Sequence, residues 1–329
     1  MKPVICVTEQ EYFKAEDIFK NSSEFKCMPV GPEEDIISKA VVDSKAFGVI
    51  IGVESYIDKL YAALPKGGII ARFGVGHDGV DKQKATDADL IATNTPGVLD
   101  DSVAEHAILL MGSLARQIAS HDANMKSKQW QPSLGLELKS KGLLIVGCGK
   151  IGCKVAKIAS MGFSMNVVGF DVSILDAKQL KQDWGIERLA DDLEEELGKA
   201  DFVSLHIPAV EETRHFVNSW FLSNMKKTSF LLNTSRGSII DENALYESLV
   251  EENIAGAGLD VFESEPYKPV DPDKDLRLLD NVILTPHVGS STFEACQSMA
   301  ASCLNNIKAA YDKKYDELDI LNKDVLATL

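Results

Sequence analysis

Three side chains in the second half of the sequence could exchange a proton with a bound substrate and hold its carboxylate. His287 ends the apolar run NVILTPH, and histidine titrates near neutral pH. Glu265, in DVFESEP, could hydrogen-bond that imidazole and fix its tautomer. Arg236, just past SFLLNT, has a planar guanidinium that suits bidentate contact with a carboxylate. Each residue alone is more often structural or solvated, but together they indicate reversible oxidation of a secondary alcohol.

A glycine fingerprint upstream could hold the cofactor for that reaction. In LLIVGCGKIG, Gly147, Gly149 and Gly152 follow an apolar strand-like run and open a helical pattern. The three glycines allow a tight turn, close approach to a pyrophosphate and packing of the helix on the strand. Asp171 ends the next apolar run about twenty residues on, where a carboxylate can accept from the adenosine ribose. No arginine follows it to hold a 2′-phosphate, so the pattern favours NAD over NADP.

Composition limits the partners of the chain. Its 329 residues are 45% hydrophobic and 26% charged, which is typical of a globular protein with two domains of ordinary size. The net charge of −16 argues against nucleic acid and anionic membranes as partners. The N-terminal MKPVICVTEQ resembles a short strand rather than a signal peptide, and no apolar run approaches the roughly 18 residues that span a bilayer. We therefore expect a cytoplasmic protein.

The cysteines and histidines indicate neither a disulfide framework nor a metal site. The six cysteines include no CxxC pair, and no two histidines have helical ligand spacing. We expect free thiols packed as small hydrophobic groups. Cys148 is the exception, because it lies in the glycine turn beside a helix N-terminus, where a thiolate would be stabilised and its oxidation could block the cofactor. His77, His121 and His215 show no partner pattern.

The elements that position these residues alternate between strands and helices. Apolar runs predict strands at PVICVT, FGVIIG, GGIIARF and LIATNT, then at LLIVG, MNVVGF, DFVSLHI, SFLLNT, AGAGLDVF and NVILTPH. A long helix is predicted from Asp100 or Asp101 toward Ala123, and an amphipathic one from Thr292 to about Lys313. The acidic run DDLEEEL is predicted to be a solvated helix face, and the tail 314–329 to be loosely ordered.

This alternation predicts an α/β protein with two doubly wound parallel-sheet domains. The larger is a Rossmann NAD-binding domain at 102–293. The smaller is a discontinuous substrate domain at 1–101 and 294–329, completed by the last helix.

The motifs also resemble those of the D-isomer-specific 2-hydroxyacid dehydrogenases. TPHVGSST, LLNTSRGSIIDENAL, GLDVFESEP, LHIPAVEETRH, RFGVGHDGVD, NTPGVLDDSVAEHAI and GCGKIG follow the family order over about residues 46 to 310. The resemblance implies a flavodoxin-like smaller domain and a homodimer built on the cofactor domains, in which His106 belongs to structure or to the dimer contact.

The resemblance also implies roles for the site residues. It makes His287 the acid/base, Glu265 its partner and Arg236 the anchor of the substrate carboxylate, with the amides of Val75 and Gly76 as further donors to that carboxylate. Asp260 is implied to bind the nicotinamide carboxamide. We expect the other contacts to NAD from the glycine turn and from strand ends, with a structural role equally open for His206. These residues are Gly147, Gly149, Lys150, Ile151, Gly152, Asp171, His206, Pro208, Thr234, His287 and Gly289.

The loop after FGVIIG indicates the substrate. It reads Val53, Glu54, Ser55, Tyr56, where phosphoglycerate dehydrogenases resembling this chain tend to place an arginine. An acidic Glu54 facing the substrate would repel a phosphate, so we expect a small 2-keto acid such as glyoxylate or hydroxypyruvate. The alternatives are D-3-phosphoglycerate dehydrogenase and, more distantly, an NAD-sensing binding protein similar to the C-terminal-binding corepressors.

Overall fold

The computed structural model describes residues 2–329 and divides the chain into two compact units. The first unit is Met1–Leu99 with Ser290–Leu329, and the second is Asp100–Gly289. Each contains one sheet in which every strand pair is parallel. The predicted α/β class with two parallel-sheet domains is confirmed.

The strands and helices are numbered in chain order. The strands are β1 (Val4–Thr8), β2 (Lys26–Val30), β3 (Gly48–Ile51), β4 (Ile69–Arg72), β5 (Ile91–Thr93), β6 (Gly142–Val146), β7 (Asn166–Phe170), β8 (Ile186–Leu189), β9 (Phe202–Leu205), β10 (Phe230–Asn233), β11 (Gly256–Leu259) and β12 (Val282–Leu284). The helices are α1 (Glu9–Lys14), α2 (Glu16–Lys20), α3 (Glu34–Ser44), α4 (Lys59–Ala63), α5 (Lys82–Asp87), α6 (Asp100–Arg116), α7 (Ile118–Lys126), α8 (Lys150–Lys157), α9 (Ala177–Trp184), α10 (Leu193–Leu197), α11 (Ser219–Asn224), α12 (Glu242–Val250) and α13 (Phe293–Tyr311).

The first unit has the strand order β2-β1-β3-β4-β5, which is the flavodoxin-like order. β3 and β4 are buried along their whole length. Ile37 of α3 and Leu60 of α4 pack with Val49, Ile51 and Ile70 of these strands in one apolar core. Continuous apolar strands under helices explain why the sequence pattern here does not alternate.

The second unit has the order β12-β11-β10-β9-β6-β7-β8, which puts the strand of the glycine fingerprint in the middle of the sheet. Leu143 and Ile145 of β6 pack in one core cluster with α6 and α8. Leu144 and Val146 pack in a second cluster with α11 and α12. Since alternate residues of a strand point to opposite faces, helices cover both faces of this sheet.

Two strands, β2 and β8, were not predicted, and both lie at a sheet edge. β2 is mostly accessible and contains Pro29, which cannot donate a ladder hydrogen bond. β8 is the polar stretch IERL. Edge strands are half-solvated and carry polar residues, so they lack the apolar run by which the central strands are found.

The helix predicted to run from Asp100 toward Ala123 is two helices. Gln117 adopts a left-handed conformation, with φ of 51°, between α6 and α7. The amide of Leu136 donates to the carbonyl of Ala115 at 2.7 Å, and Gln117 Nε2 donates to the carbonyl of Leu134 at 2.9 Å. The returning segment thus takes the hydrogen bonds that would have continued the helix.

The C-terminal tail, predicted to be loosely ordered, packs on the first unit. Ile320 forms an antiparallel bridge with Thr93, and Val325 is 0% exposed. The Asn322 side chain accepts from the amide of Ala92 at 2.9 Å and donates to the carbonyl of Leu90 at 2.9 Å. A single buried amide therefore fastens this charged segment, which composition alone does not reveal.

The acidic run DDLEEEL is also not wholly a solvated face. Glu196 is 6% exposed and pairs with Arg188 at 2.7 Å and Lys199 at 3.1 Å. Glu196 is held by two cations, whereas the exposed Glu195 pairs with Lys199 alone.

Replacing Asn322 with Ala is expected to destabilise the first unit by about 2 to 4 kcal/mol, because buried backbone groups of β5 and the preceding residue lose their partners. Urea unfolding followed by circular dichroism measures the change. Lys323→Ala, at the exposed neighbouring position, is the control. Equal unfolding midpoints for the two variants would contradict the anchoring role.

Candidate active site

The glycine turn between β6 and α8 leaves room for a phosphate. Gly147 has φ of +97°, and a Cβ there would lie 2.6 Å from the carbonyl oxygen of His206. A Cβ on Gly152 would lie 2.1 Å from the carbonyl oxygen of Gly147, so helix and turn are in direct contact. A Cβ on Gly149, in contrast, would meet no atom within 4 Å. Open space at the N-terminus of α8 is what a pyrophosphate needs.

Asp171 follows β7, and the backbone fixes its carboxylate. Oδ2 accepts from the amide of Cys148 at 2.8 Å, and Oδ1 accepts from the amide of Ser173 at 2.8 Å. Val172 and Ile174 beside it are fully exposed, at 95% and 104%. The acidic residue expected to meet the ribose is thus held at the glycine turn itself, with no cationic residue in the three positions after it.

The expectation of a stabilised thiolate at Cys148 is wrong. Its side chain is buried at 5% exposure, and burial raises the pKa of the thiol to about 12, with the nearby Cys153 and Asp171 adding to the rise. Burial also raises the pKa of Cys153 to about 11. Both sulfurs are therefore protonated thiols at neutral pH, held in that form mainly by loss of water.

The other residues expected to contact the cofactor lie at the ends of successive strands. Lys150 and Ile151 form the first turn of α8, and His206 and Pro208 follow β9. His206 Nε2 lies 2.8 Å from Ser204 Oγ, and burial lowers the pKa of this histidine to about 4. Thr234, after β10, has a buried hydroxyl with no hydrogen-bond partner among residues 2–329. This unsatisfied hydroxyl and the open space at Gly149 fit a bound dinucleotide.

His287 and Glu265 form a close pair. His287 Nδ1 lies 2.6 Å from Glu265 Oε2, and each side chain is 26% exposed. Glu265 Oε1 accepts from the amide of Phe262 at 3.0 Å, which fixes the carboxylate. Because Nδ1 is engaged, Nε2 is the nitrogen that can exchange a proton with a substrate.

Arg236 lies in the loop after β10, close to the loop that carries Glu265. Asn233 Nδ2 donates to the carbonyl of Arg236 at 2.8 Å, and Arg236 Nη1 donates to the carbonyl of Ser235 at 2.7 Å. A Cβ on Gly237 would lie 1.8 Å from the carbonyl carbon of Phe262. Only glycine allows the arginine loop to lie this close to the glutamate loop.

Asp260 and His106 form a network that the sequence did not indicate. Asp260 is 1% exposed and accepts from Thr285 Oγ1 at 2.5 Å and from the amides of Val288 and Gly289 at 2.9 and 2.7 Å. His106 Nε2 lies 3.0 Å from Thr285 Oγ1 and 3.4 Å from Asp260 Oδ1. Burial alone would raise the pKa of Asp260, but these hydrogen bonds outweigh it and hold the pKa below its usual value. The implied contact of Asp260 with nicotinamide stays a prediction.

Val75 and Gly76 lie in the first unit, in the loop after β4. Asn94 Nδ2 donates to the carbonyl of Val75 at 2.7 Å, and the amide of Thr95 donates to the carbonyl of Gly74 at 3.0 Å. Both predicted substrate-binding residues are partly accessible. Their role toward a carboxylate stays a prediction.

Glu54 does not have the orientation expected of it. Its Oε2 is buried beside Glu11, since a Cβ on Gly52 would lie 2.7 Å from Glu54 Oε2 and 2.6 Å from Glu11 Oε1. Burial raises the pKa of Glu54, and the charge of Glu11 raises it further. The exposed residues of this loop are Val53 and Ser55. Direct repulsion of a phosphate by Glu54 is therefore not supported.

His215, which showed no partner pattern in the sequence, has an acidic partner. Its Nε2 lies 3.0 Å from Glu263 Oε2. Glu263 is two residues from Glu265, so DVFESEP supplies a third acid near the site besides Asp260 and Glu265, which the sequence pattern did not indicate.

Within residues 2–329 there is no group of three or more His, Cys, Asp or Glu that could hold a metal ion. None of the helices described there is both long and apolar enough to cross a membrane.

Comparison with known proteins connects this geometry to a family. Residues 108–289 match the model of the D-isomer specific 2-hydroxyacid dehydrogenase, NAD binding domain. The chain is 37% identical over 347 residues to a glyoxylate reductase of Thermococcus litoralis, covering 100% of this chain and 99% of that protein. It is 37% identical over 306 residues to a D-3-phosphoglycerate dehydrogenase of Methanocaldococcus jannaschii, covering 92% of this chain and 56% of that protein.

A solved structure is similar over nearly the whole chain. The NADPH-dependent glyoxylate/hydroxypyruvate reductase from Sinorhizobium meliloti, in complex with citrate, has a TM-score of 0.80 and 28% identity. The match covers 94% of this chain and 95% of that one.

Replacing Gly149 with Ala is expected to weaken NADH binding about tenfold or more, because the new methyl group occupies the space open to the pyrophosphate. Fluorescence titration with NADH measures the dissociation constant. Gly162→Ala is a matched control, since a Cβ there also meets no atom within 4 Å but lies beyond the end of α8. Equal affinity in the two variants would exclude this cradle as the phosphate site.

Proposed function

The chain belongs to the D-isomer-specific 2-hydroxyacid dehydrogenases, oxidoreductases with an NAD-binding domain that act on CH–OH groups, and we propose that it reduces a small unphosphorylated 2-keto acid such as glyoxylate or hydroxypyruvate. The observation that carries this proposal is the His287–Glu265 pair, with 2.6 Å between Nδ1 and Oε2, beside the loop of Arg236. A proton donor and a carboxylate anchor at neighbouring strand ends are what keto-acid reduction requires.

The proposed mechanism assigns one task to each side chain. Arg236 binds the substrate carboxylate and polarises the adjacent carbonyl group. Protonated His287 gives the proton on Nε2 to the carbonyl oxygen, which becomes the hydroxyl of the product. Glu265 accepts from Nδ1–H throughout and stabilises the imidazolium before transfer. Bound NADH supplies the hydride that reduces the carbonyl carbon.

The substrate assignment is supported by the loop Val53–Tyr56 and by the relatives. The loop contains no lysine or arginine that could pair with a phosphate. Relatives named glyoxylate reductase and hydroxypyruvate reductase are 37% and 40% identical to the chain, and the phosphoglycerate dehydrogenase of M. jannaschii, of which the chain spans 56%, is 37% identical over the part that matches. D-3-phosphoglycerate oxidation is the alternative, because that relative is equally identical over the part that matches.

The proposed cofactor preference is NADH over NADPH. Asp171 is fixed where the ribose would lie, and Val172 and Ser173 supply no cation for a 2′-phosphate. The S. meliloti reductase uses NADPH, so members of this fold differ on this point.

The proposal is tested by NADH oxidation with glyoxylate, hydroxypyruvate, 3-phosphohydroxypyruvate and pyruvate, with NADPH in parallel. We expect the highest kcat/KM for an unphosphorylated substrate with NADH. Preference for the phosphorylated acid would establish the alternative, and no turnover with any acid would favour a binding protein.

In the same assay His287→Asn is expected to lower kcat about 10²- to 10⁴-fold with NADH affinity retained. Full turnover in that variant would exclude His287 as the proton donor.

The proposed assembly is a homodimer through the second unit. Large apolar side chains are exposed along α7 and the segment after it, among them Ile118 (55%), Met125 (56%), Trp130 (82%) and Leu134 (95%). Such a surface is typical of an interface between subunits.

The proposed cytoplasmic location is supported by the six cysteines, all of which are free thiols.

Light scattering of the purified chain is expected to give twice the subunit mass of 35.9 kDa. Leu134→Glu is expected to shift this mass toward the monomer, because it places a charge in the apolar contact. A monomeric wild type, or a variant that stays dimeric, would contradict an interface at this segment.

A further inference from the structure

Three carboxylates meet at the loop after β11, which carries Glu265 of the proposed catalytic pair. Glu242, at the start of α12, is 5% exposed, and its Oε1 accepts from the amide of Glu263 at 2.6 Å. In return, Glu263 Oε1 accepts from the amide of Glu242 at 3.2 Å. These two reciprocal bonds join the N-terminus of α12 to the loop that contains Glu265.

Glu242 and Glu265 are bound to consecutive amides. The amide of Phe262 donates to Glu265 Oε1 at 3.0 Å, and the next amide, that of Glu263, donates to Glu242. The other oxygen of Glu265 contacts His287. Glu242 is thus linked to the imidazole through the backbone of this loop and the carboxylate of Glu265.

The charge of Glu263 is balanced, whereas that of Glu242 is not. His215 Nε2 lies 3.0 Å and Arg214 Nη2 3.9 Å from Glu263 Oε2. Glu242 Oε2 is buried without a hydrogen-bond partner in the part of the chain that the structure describes. The pKa of Glu242 is raised to about 6, mainly by burial, with the charges of Glu263 and Glu265 adding to the rise and the hydrogen bond from the amide of Glu263 opposing it.

We propose that Glu242 is a positioning residue for proton transfer, which holds the loop of Glu265 and whose negative charge, acting through Glu265, favours the protonated form of His287. This inference rests on the proposed role of His287 as proton donor.

Six titratable or charged groups face Glu242 or the loop that it holds. They are Glu263, Glu265 and Tyr267 of that loop, Arg214 and His215 of the segment before α11, and Asp241 at the start of α12.

The sign of the effect follows from simple electrostatics. Above about pH 6 Glu242 is mainly ionised, and an added negative charge near an imidazole raises the pKa of that imidazole. Removing the charge in Glu242→Gln, which keeps an oxygen to accept from Glu263, must lower it.

The test is an NMR titration of the histidine side chains in the full-length protein, with the His287 resonance assigned by its loss in His287→Asn. We expect the pKa of His287 to fall in Glu242→Gln and to stay unchanged in Glu247→Gln. Glu247 lies on the same helix but is 56% exposed and pairs with Lys274, so it is a matched control. An unshifted His287 in Glu242→Gln overturns the proposal.

Two further measurements keep the test decisive. If Glu242→Gln does not fold, Glu242→Met, which also removes the charge and keeps the length of the side chain, takes its place, and an unshifted His287 in that variant overturns the proposal. In the kinetic assay, the alkaline loss of kcat/KM should move to lower pH in Glu242→Gln, whereas a purely structural role would lower kcat without moving it. Absence of turnover in the wild type contradicts the proposed function but leaves the NMR readout intact, so the two failures are distinguishable.

Discussion

Asp260 carries a negative charge in a place that water does not reach, and the position of His287 depends on how that charge is satisfied. Its two oxygens bind the amides of Val288 and Gly289 and the hydroxyl of Thr285, with His106 close by. Loss of a partner from a buried charge costs about 3 to 5 kcal/mol. These hydrogen bonds therefore fix the backbone conformation of the residues that follow β12. There His287 adopts φ of 52°, a conformation that L-residues rarely enter and that costs about 1 to 2 kcal/mol.

The parallel sheet explains why such a network can form at all. Gly147, Asp171, Thr234, Asp260 and His287 each come just after a strand of the second unit. Because all these strands run in the same direction, their carboxyl ends meet at one edge. Residues more than a hundred positions apart thus become neighbours. The glycines at 147 and 237 then bring the loops into contact at distances that a side chain would forbid.

The sequence predicted what depends on local pattern and failed where spatial partners decide. Central strands and the glycine turn were predicted because complete burial leaves an apolar run and a phosphate turn needs glycine. The edge strands β2 and β8 depend on solvent exposure, and the break at Gln117 and the packed tail at Asn322 depend on a few hydrogen bonds to residues distant in the sequence. The thiol of Cys148 was misjudged for a similar reason, since helix position is visible in the sequence but desolvation is not.

The same holds within the site. Glu265 could be paired with His287 from the order of the motifs. The partner of Glu242 is a backbone amide and that of His215 is the carboxylate of Glu263, and only the fold brings these groups together.

The distribution of charge around His287 presents a conflict that the fold resolves by burial. Carboxylates near the imidazole favour its protonated form, which a keto-acid reductase needs, but the same charges repel an anionic substrate. In this chain Glu242 is 5% exposed and the Glu263 side chain 13%, and both are held by backbone amides behind the pair. Arg236 is half-buried in the adjoining loop, and its proposed role is to provide a positive charge for the substrate carboxylate. With the proposed roles, a protein with a net charge of −16 can bind an anionic substrate, because Glu242 and Glu263 are largely withdrawn from solvent while Arg236 is partly accessible.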